Sequence, residues 1–225
     1  MKYLLLNFSA PLQAWGGSLP GNLRTIESHP TKSGVVGFLA ACIGIKREEP
    51  ELLVALANRI TVACRVDAPG SKTSDFHIVK NTFLRYGPKY LGRAKIKSII
   101  SLRDYLCNAV FTICIQGENL EELYHAIREP HFVPYLGRKC CLPNPVFPRI
   151  IEASSLYRAF EQYKVAEIHA DIVPLLPDED QVQVFWEGTD DSITPVRQEW
   201  KYDQPNGTSM FRQRLEYMGY IERVA

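Results

Sequence analysis

Pro30-Thr31-Lys32-Ser33-Gly34-Val35-Val36-Gly37-Phe38-Leu39-Ala40-Ala41-Cys42-Ile43 is the stretch whose reading sets the architecture. Val35, Val36, Leu39, Cys42 and Ile43 recur near helical spacing, and the polar run before them is a helix start. Gly34, Gly37, Ala40 and Ala41 are small enough to let such a helix lie close on a sheet. Upstream, Tyr3 to Phe8 is β-prone and ends against Ala10-Pro11 and Gly16-Gly17, which predicts a strand entering a loop. Downstream, Pro50 to Ala57 reads as a second helix and Ile60 to Val66 alternates like a strand. Tyr105 to Ile115 is the next strand, with Ala109, Phe111, Ile113 and Ile115 opposed to Val110, Thr112 and Cys114. Leu120, Leu123, Tyr124 and Ile127 then mark a helix face, with Glu121 and Glu122 placed favourably in the first turn. Strand, helix, strand, insertion, strand, helix is most of a split βαβ unit. The sequence therefore predicts an α+β, ferredoxin-like domain whose helices cover one sheet face and leave the other free to bind.

Almost forty residues separate the strand ending at Val66 from the one beginning at Tyr105, far beyond an ordinary connection. The formal charge of the 225-residue chain is only +1, but the charges are segregated. From Phe76 to Arg103 the sequence carries Lys80, Arg85, Lys89, Arg93, Lys95, Lys97 and Arg103 with no Asp or Glu. Such a block can follow a phosphate backbone, because neutralised phosphates release condensed counterions; a solvated loop is the plainer use of the same residues. The insertion, about residues 68–104, reads as a projecting arm built as a long hairpin.

Pro143, Pro145 and Pro148 mark a boundary. It predicts a main domain over 1–148 and a small, partly β C-terminal subdomain over 149–225, with Ser155 to Tyr163 helical and Val182 to Trp186 and Val196 to Tyr202 extended. Six cysteines (Cys42, Cys64, Cys107, Cys114, Cys140, Cys141) include no CxxC pair, so no metal or cofactor is expected. The apolar run near the N-terminus is too short for a secretory leader, which points to a cytoplasmic chain with reduced thiols and no membrane partner.

Three short motifs are the most specific: Pro11-Leu12-Gln13-Ala14-Trp15-Gly16, Pro30-Thr31-Lys32-Ser33-Gly34-Val35-Val36-Gly37, and Pro134-Tyr135-Leu136-Gly137-Arg138-Lys139. In this order, with Arg103-Asp104-Tyr105-Leu106-Cys107, they resemble the fifth family of CRISPR-associated proteins, the RAMP-superfamily CasD subunits of type I-E Cascade. The resemblance covers about residues 1–150. It implies an RRM-like, ferredoxin-like domain with a β-hairpin thumb that clamps the 5′ handle of CRISPR RNA. It also implies contacts with the backbone and large subunits of Cascade, and with target DNA indirectly.

On this footing the candidate RNA contacts are as follows. Lys32, Ser33 and Gly34 at a helix start could hold a phosphate, although the same residues make an ordinary capped helix start; the glycine a Walker loop requires is missing before Lys32. Gln13 could read a base edge and Trp15 stack on a base, with core packing the alternative for Trp15. Tyr135, Gly137, Arg138 and Lys139 combine stacking with cations. Arg85, Lys89, Arg93, Lys95 and Lys97 belong to the arm, which Arg103 and Tyr105 close; both could grip the strand from the other side, with core packing the equal alternative for Tyr105.

No catalytic residue is expected. His29, His77, His125, His131 and His169 are scattered, and the Lys-His pair of the self-processing type I-C relatives is absent. A metal-independent endoribonuclease that processes precursor RNA, and a purely structural linker, are the competing functions.

Overall fold

The computed structural model describes residues 1–16, 23–79, 99–168, 174–177, 179–206 and 211–223. In chain order the elements are β1 (Lys2–Ser9), β2 (Leu12–Gln13), β3 (Leu23–Arg24), α1 (Lys32–Ile43), α2 (Pro50–Arg59), β4 (Ile60–Ala68), β5 (Ser71–Val79), β6 (Ile99–Cys107) and β7 (Val110–Gly117). They continue as α3 (Leu120–Arg128), β8 (Arg149–Glu152), α4 (Leu156–Glu161), α5 (Val165–Ile168), β9 (Gln181–Trp186), β10 (Pro195–Pro205) and β11 (Phe211–Glu222). The class is α+β, with mostly antiparallel sheets.

Local chemistry sets the helix ends. The Thr31 hydroxyl caps α1 by accepting from the Gly34 N–H, and Gly44 ends it in a left-handed conformation at φ 91°. Val35, Val36, Phe38, Leu39, Ala40 and Cys42 are all buried, a face wider than an amphipathic stripe, because α1 sits between the sheet and its neighbours α2 and α3. Pro50 opens α2 where its missing N–H costs nothing. In α3, Leu120, Leu123 and Ile127 face inward while Glu121 and Glu122 occupy the first turn.

The large sheet runs β10-β11-β9-β4-β7-β1-β8, antiparallel at every junction. The single strand predicted over Tyr105 to Ile115 is two: Asn108 turns the chain at φ 55°, and Asn is among the few non-glycine residues that tolerate this. Strand β6 belongs to a second sheet, where it pairs with β5, β2 and, in parallel, β3. Strand β8 pairs with β1, and β9 pairs with β4, so the chain beyond the expected boundary at 148 joins the same large sheet at two places. Strand β11 was not foreseen; its exposed and half-buried residues alternate too weakly to announce it.

One face of the sheet carries the main core, including Leu4, Leu6, Phe8, Leu39, Phe111 and Ile113. The face predicted to be free is covered as well: Tyr3, Leu5, Val110 and Cys114 are buried under Leu156, Ala159, Phe160 and Tyr163. A buried cation fixes that cover. Arg65 Nε donates to Asp67 at 2.7 Å, while its other nitrogens donate to the carbonyls of Phe160 (2.6 Å) and Tyr163 (2.9 Å) and to the Thr112 hydroxyl (3.1 Å). Four of the five N–H donors of the guanidinium are thus engaged, and a buried charge is tolerated only when so paired.

A second buried network fastens the C-terminal strands to α1. Arg214 bridges Asp203 (2.6 Å) and Glu216 (2.5 Å), His29 lies 3.1 Å from Glu216 and stacks on Phe185, and Lys32 pairs with Glu187 at 2.7 Å. Burial pushes the Glu216 carboxyl up, but the His29 hydrogen bond and the Arg214 charge outweigh it and hold the group down at about 2. A carboxyl depressed in the folded state stabilises it above the unfolded value, near 4.5. That contribution, on the order of 3 kcal/mol for a shift of this size, should disappear as pH falls from about 4.5 toward 2. Denaturant midpoints measured across this window should fall less steeply in Glu216→Gln than in the parent protein.

Candidate nucleic-acid interface

The three sequence motifs meet around Ala14 and the buried Trp15, and that position corrects several of the expectations above. Trp15 is fully buried and stacks on Phe8 with ring centroids 5.7 Å apart. Its indole N–H donates to Gln13 Oε1 (3.1 Å), and Gln13 Nε2 donates to the Ala109 carbonyl (2.6 Å). Both residues are therefore interior, with no edge or ring face left for a base. Gly34 belongs to the same contact: a Cβ there would come within 2.8 Å of the Trp15 ring. Gly137 closes it from the third motif, since a Cβ would overlap the Ala14 carbonyl and its φ is +87°, and Leu136 accepts the Ala14 N–H at 3.1 Å.

The start of α1 is not an open phosphate site. Its anion is internal, for Asp203 accepts the Lys32 N–H at 2.7 Å. The Lys32 ammonium is buried, donating to the Ile60 carbonyl as well as pairing with Glu187. Desolvation lowers its pKa, and Glu187 opposes that effect. Ser33 and Gly34 are half-buried beside the cap. A lysine at a helix start reads alike in sequence whether its anion comes from a ligand or from a strand 170 residues downstream, so the sequence could not separate the two cases.

What the structure does assemble is a group of cations at the foot of the β5–β6 ladder. The ladder runs from Ser71↔Cys107 to Val79↔Ile99, and β3 lies on its other side with Arg24 opposite Arg103. Arg138 reaches across, donating to the Asp104 carbonyl (3.0 Å) and the Arg24 carbonyl (3.4 Å), with its guanidinium 4.6 Å over the Tyr105 ring. Tyr105 is consequently buried beneath Arg138 and is no independent contact. Lys139 and Gly137 are exposed, as is Tyr135.

Nearby carboxylates are already engaged. Asp104 is bound by Lys72 (2.7 Å) and by the Ser74 hydroxyl (2.5 Å), which hold it below its ordinary range, and Asp75 pairs with His77. Among the described residues around this ladder, Arg24, Arg103, Arg138 and Lys139 form no salt bridge, although the Arg138 charge helps to lower Asp104, and the Arg103 Nε is buried with no hydrogen-bond acceptor. Arg24 had no sequence signal; only the parallel pairing of β3 on β6 reveals it. Arg85, Lys89, Arg93, Lys95 and Lys97 lie outside the described residues.

The described histidines do not converge: His29 is committed to Glu216, His77 to Asp75, and His131 packs against Gly44. Among the described residues no cluster of three or more His, Cys, Asp or Glu could hold a metal ion, and no helix is long and apolar enough to cross a membrane.

A sequence profile described as CRISPR-associated protein (Cas_Cas5) matches residues 3–221. The chain belongs to this Cas_Cas5 family. The resemblance read from the three motifs thus holds for nearly the whole chain, including the part beyond residue 150 where the motifs were silent. The chain is 32% identical over 177 residues to the CRISPR system Cascade subunit CasD of Escherichia coli (strain K12), covering 72% of this chain and 77% of that one. Among solved structures it is similar to a chain of a CRISPR RNA-guided surveillance complex, with a TM-score of 0.66 at 25% identity, covering 98% of this chain and 89% of that one. It is also similar to a structure described as a Cas protein, with a TM-score of 0.59 at 26% identity, covering 98% and 94%.

Two of the motifs this Cas_Cas5 chain carries therefore owe a glycine to close packing, Gly34 against the Trp15 ring and Gly137 against the Ala14 backbone. Gly137→Ala meets both a backbone overlap and a left-handed φ, so it should cost about 2 kcal/mol or more. In thermal unfolding this is a fall of roughly 4 to 8 °C, whereas Gly16→Ala, which meets nothing within 4 Å, should leave the midpoint within about 2 °C.

Proposed function

We propose that this CRISPR-associated protein is a non-catalytic Cascade subunit that binds the 5′ handle of CRISPR RNA, using the cation cluster at the foot of β5–β6 and the basic stretch that continues from it. The observation that carries this reading is the group Arg24, Arg103, Arg138 and Lys139, in which Arg138 is held by two carbonyls and the Tyr105 ring. Cations so placed can grip a backbone without reading bases. Tyr135, 38% exposed, adds a surface on which a base could stack.

The same reading treats β5 and β6 as the stem of a thumb and residues 80–98 as its basic end. It takes β1, β4, β7 and β8 with α1 to α3 as a ferredoxin-like unit, supported by the order β4-β7-β1-β8 in the large sheet. Residues 149–225 are assigned as a subdomain that widens this unit. Contacts with the Cascade backbone and large subunits, an indirect link to target DNA and a cytoplasmic setting follow from the likeness to CasD. Processing of precursor RNA is assigned elsewhere, because the described histidines are dispersed.

Binding of a handle RNA should weaken with salt. About six phosphate contacts give a log–log slope near −4 for single-stranded RNA. Arg103→Ala combined with Arg138→Ala and Lys139→Ala should flatten that slope by about 2 and weaken binding at least tenfold at moderate salt. Replacing Lys89, Arg93, Lys95 and Lys97 together by alanine should do the same. Unchanged affinity in both variants would remove this surface from the footprint, and defined cleavage of repeat RNA in chelator would reverse the non-catalytic assignment.

A further inference from the structure

Cys140 and Cys141 sit in the loop that also presents Arg138 and Lys139. A tight turn, closed by the Cys141 N–H donating to the Arg138 carbonyl (2.8 Å) and the Leu136 N–H donating to the Cys141 carbonyl (2.8 Å), brings the two sulfurs within 3.9 Å. Adjacent side chains on extended chain would point apart. The two thiols differ in access: Cys140 is exposed, with Sγ 3.8 Å from the Tyr105 hydroxyl, whereas Cys141 is 1% exposed. Cys42, Cys64 and Cys114 are buried in the cores.

We propose that Cys140 and Cys141 form an oxidisable dithiol, a modification site that a hydroperoxide converts to a disulfide and that loosens the adjoining cationic loop. Cys140 reacts first because it meets solvent, while burial pushes the Cys141 thiol up to about 12. The Cys140 sulfur attacks the peroxide, the O–O bond breaks, and the departing oxygen takes the thiol proton, leaving a sulfenic acid and water. The Cys141 sulfur then attacks the Cys140 sulfur; the S–O bond breaks and the hydroxide leaves as water with the Cys141 proton. Two thiols lose two electrons in all, and one molecule of hydrogen peroxide becomes two of water.

Geometry links the bond to the surface. The sulfurs must close from 3.9 Å to about 2.05 Å, which draws Cys140 from the Tyr105 hydroxyl and twists the turn that aims Arg138 over that ring. The thiol chemistry stands by itself; its effect on RNA rests on the function proposed above.

The full-length protein is treated with hydrogen peroxide, then alkylated and mapped by peptide mass spectrometry, with handle-RNA affinity measured before and after and again after reduction. The expected result is a Cys140–Cys141 disulfide, affinity lower by about tenfold, and recovery with dithiothreitol, all absent in Cys140→Ser. Oxidation of Cys140 to sulfinic acid or to an intermolecular disulfide, without joining Cys141, would overturn the site. A disulfide that forms while affinity stays constant would overturn its coupling to RNA. Reduced protein that binds no handle RNA at all would instead overturn the functional reading, and the mass map alone would then decide the dithiol.

Discussion

The packing around Trp15 is the constraint on which the rest of the molecule depends. Burying an indole is favourable only when its N–H finds an acceptor, and the acceptor here is Gln13, two residues away, itself tied to the Ala109 carbonyl. Two further segments far apart in sequence close on this loop: the start of α1 approaches the ring, and the turn at 136–138 approaches the backbone of Ala14. They can do so because Gly34 and Gly137 lack a side chain. The same turn presents Arg138 and Lys139, and the same loop supplies β2, which pairs with β6. Core and cationic surface are in this way products of one contact.

Charge within the protein divides into two populations with different consequences. Arg65, Arg214 and Lys32 are desolvated and fully partnered, and they join the C-terminal half to the N-terminal sheet and to α1. Such pairs contribute little over an apolar replacement but cost much when one partner is removed. They make the joint specific, since a strand arriving one residue out of register would leave a charge buried alone. Arg138, by contrast, is held by the Asp104 and Arg24 carbonyls, and Arg24, Arg103 and Lys139 beside it enter no salt bridge among the described residues.

The sequence revealed elements through periodicity and failed where a residue's partner lies far away. The helix at 32–43 and the strands near 3–8 and 60–66 were legible because each depends on neighbours in the chain. At Trp15 and Lys32 a ligand contact and an interior role read alike, and burial decides for the interior. A tryptophan and an amide after a strand suit a base as well as a core, and only the positions of Ala109 and Phe8 distinguish the two. Likewise Tyr105 was read as grip or core, and the guanidinium lying over it decided for core. Arg24 was silent because a two-residue parallel strand has no period, and the covered second sheet face was missed because its cover comes from residues after 153.

Pairing of β2 with the base of β6 has a mechanical meaning. Leu12 and Gln13 lie opposite Cys107 and Leu106, so the β5–β6 ladder is stitched directly to the segment that carries Trp15. Gly70 tightens the other leg, where any side chain would strike the Cys107 carbonyl. Between β6 and the interior there is thus no slack joint, and a shift of the Cys107 end of this ladder would have to carry the Trp15 segment with it.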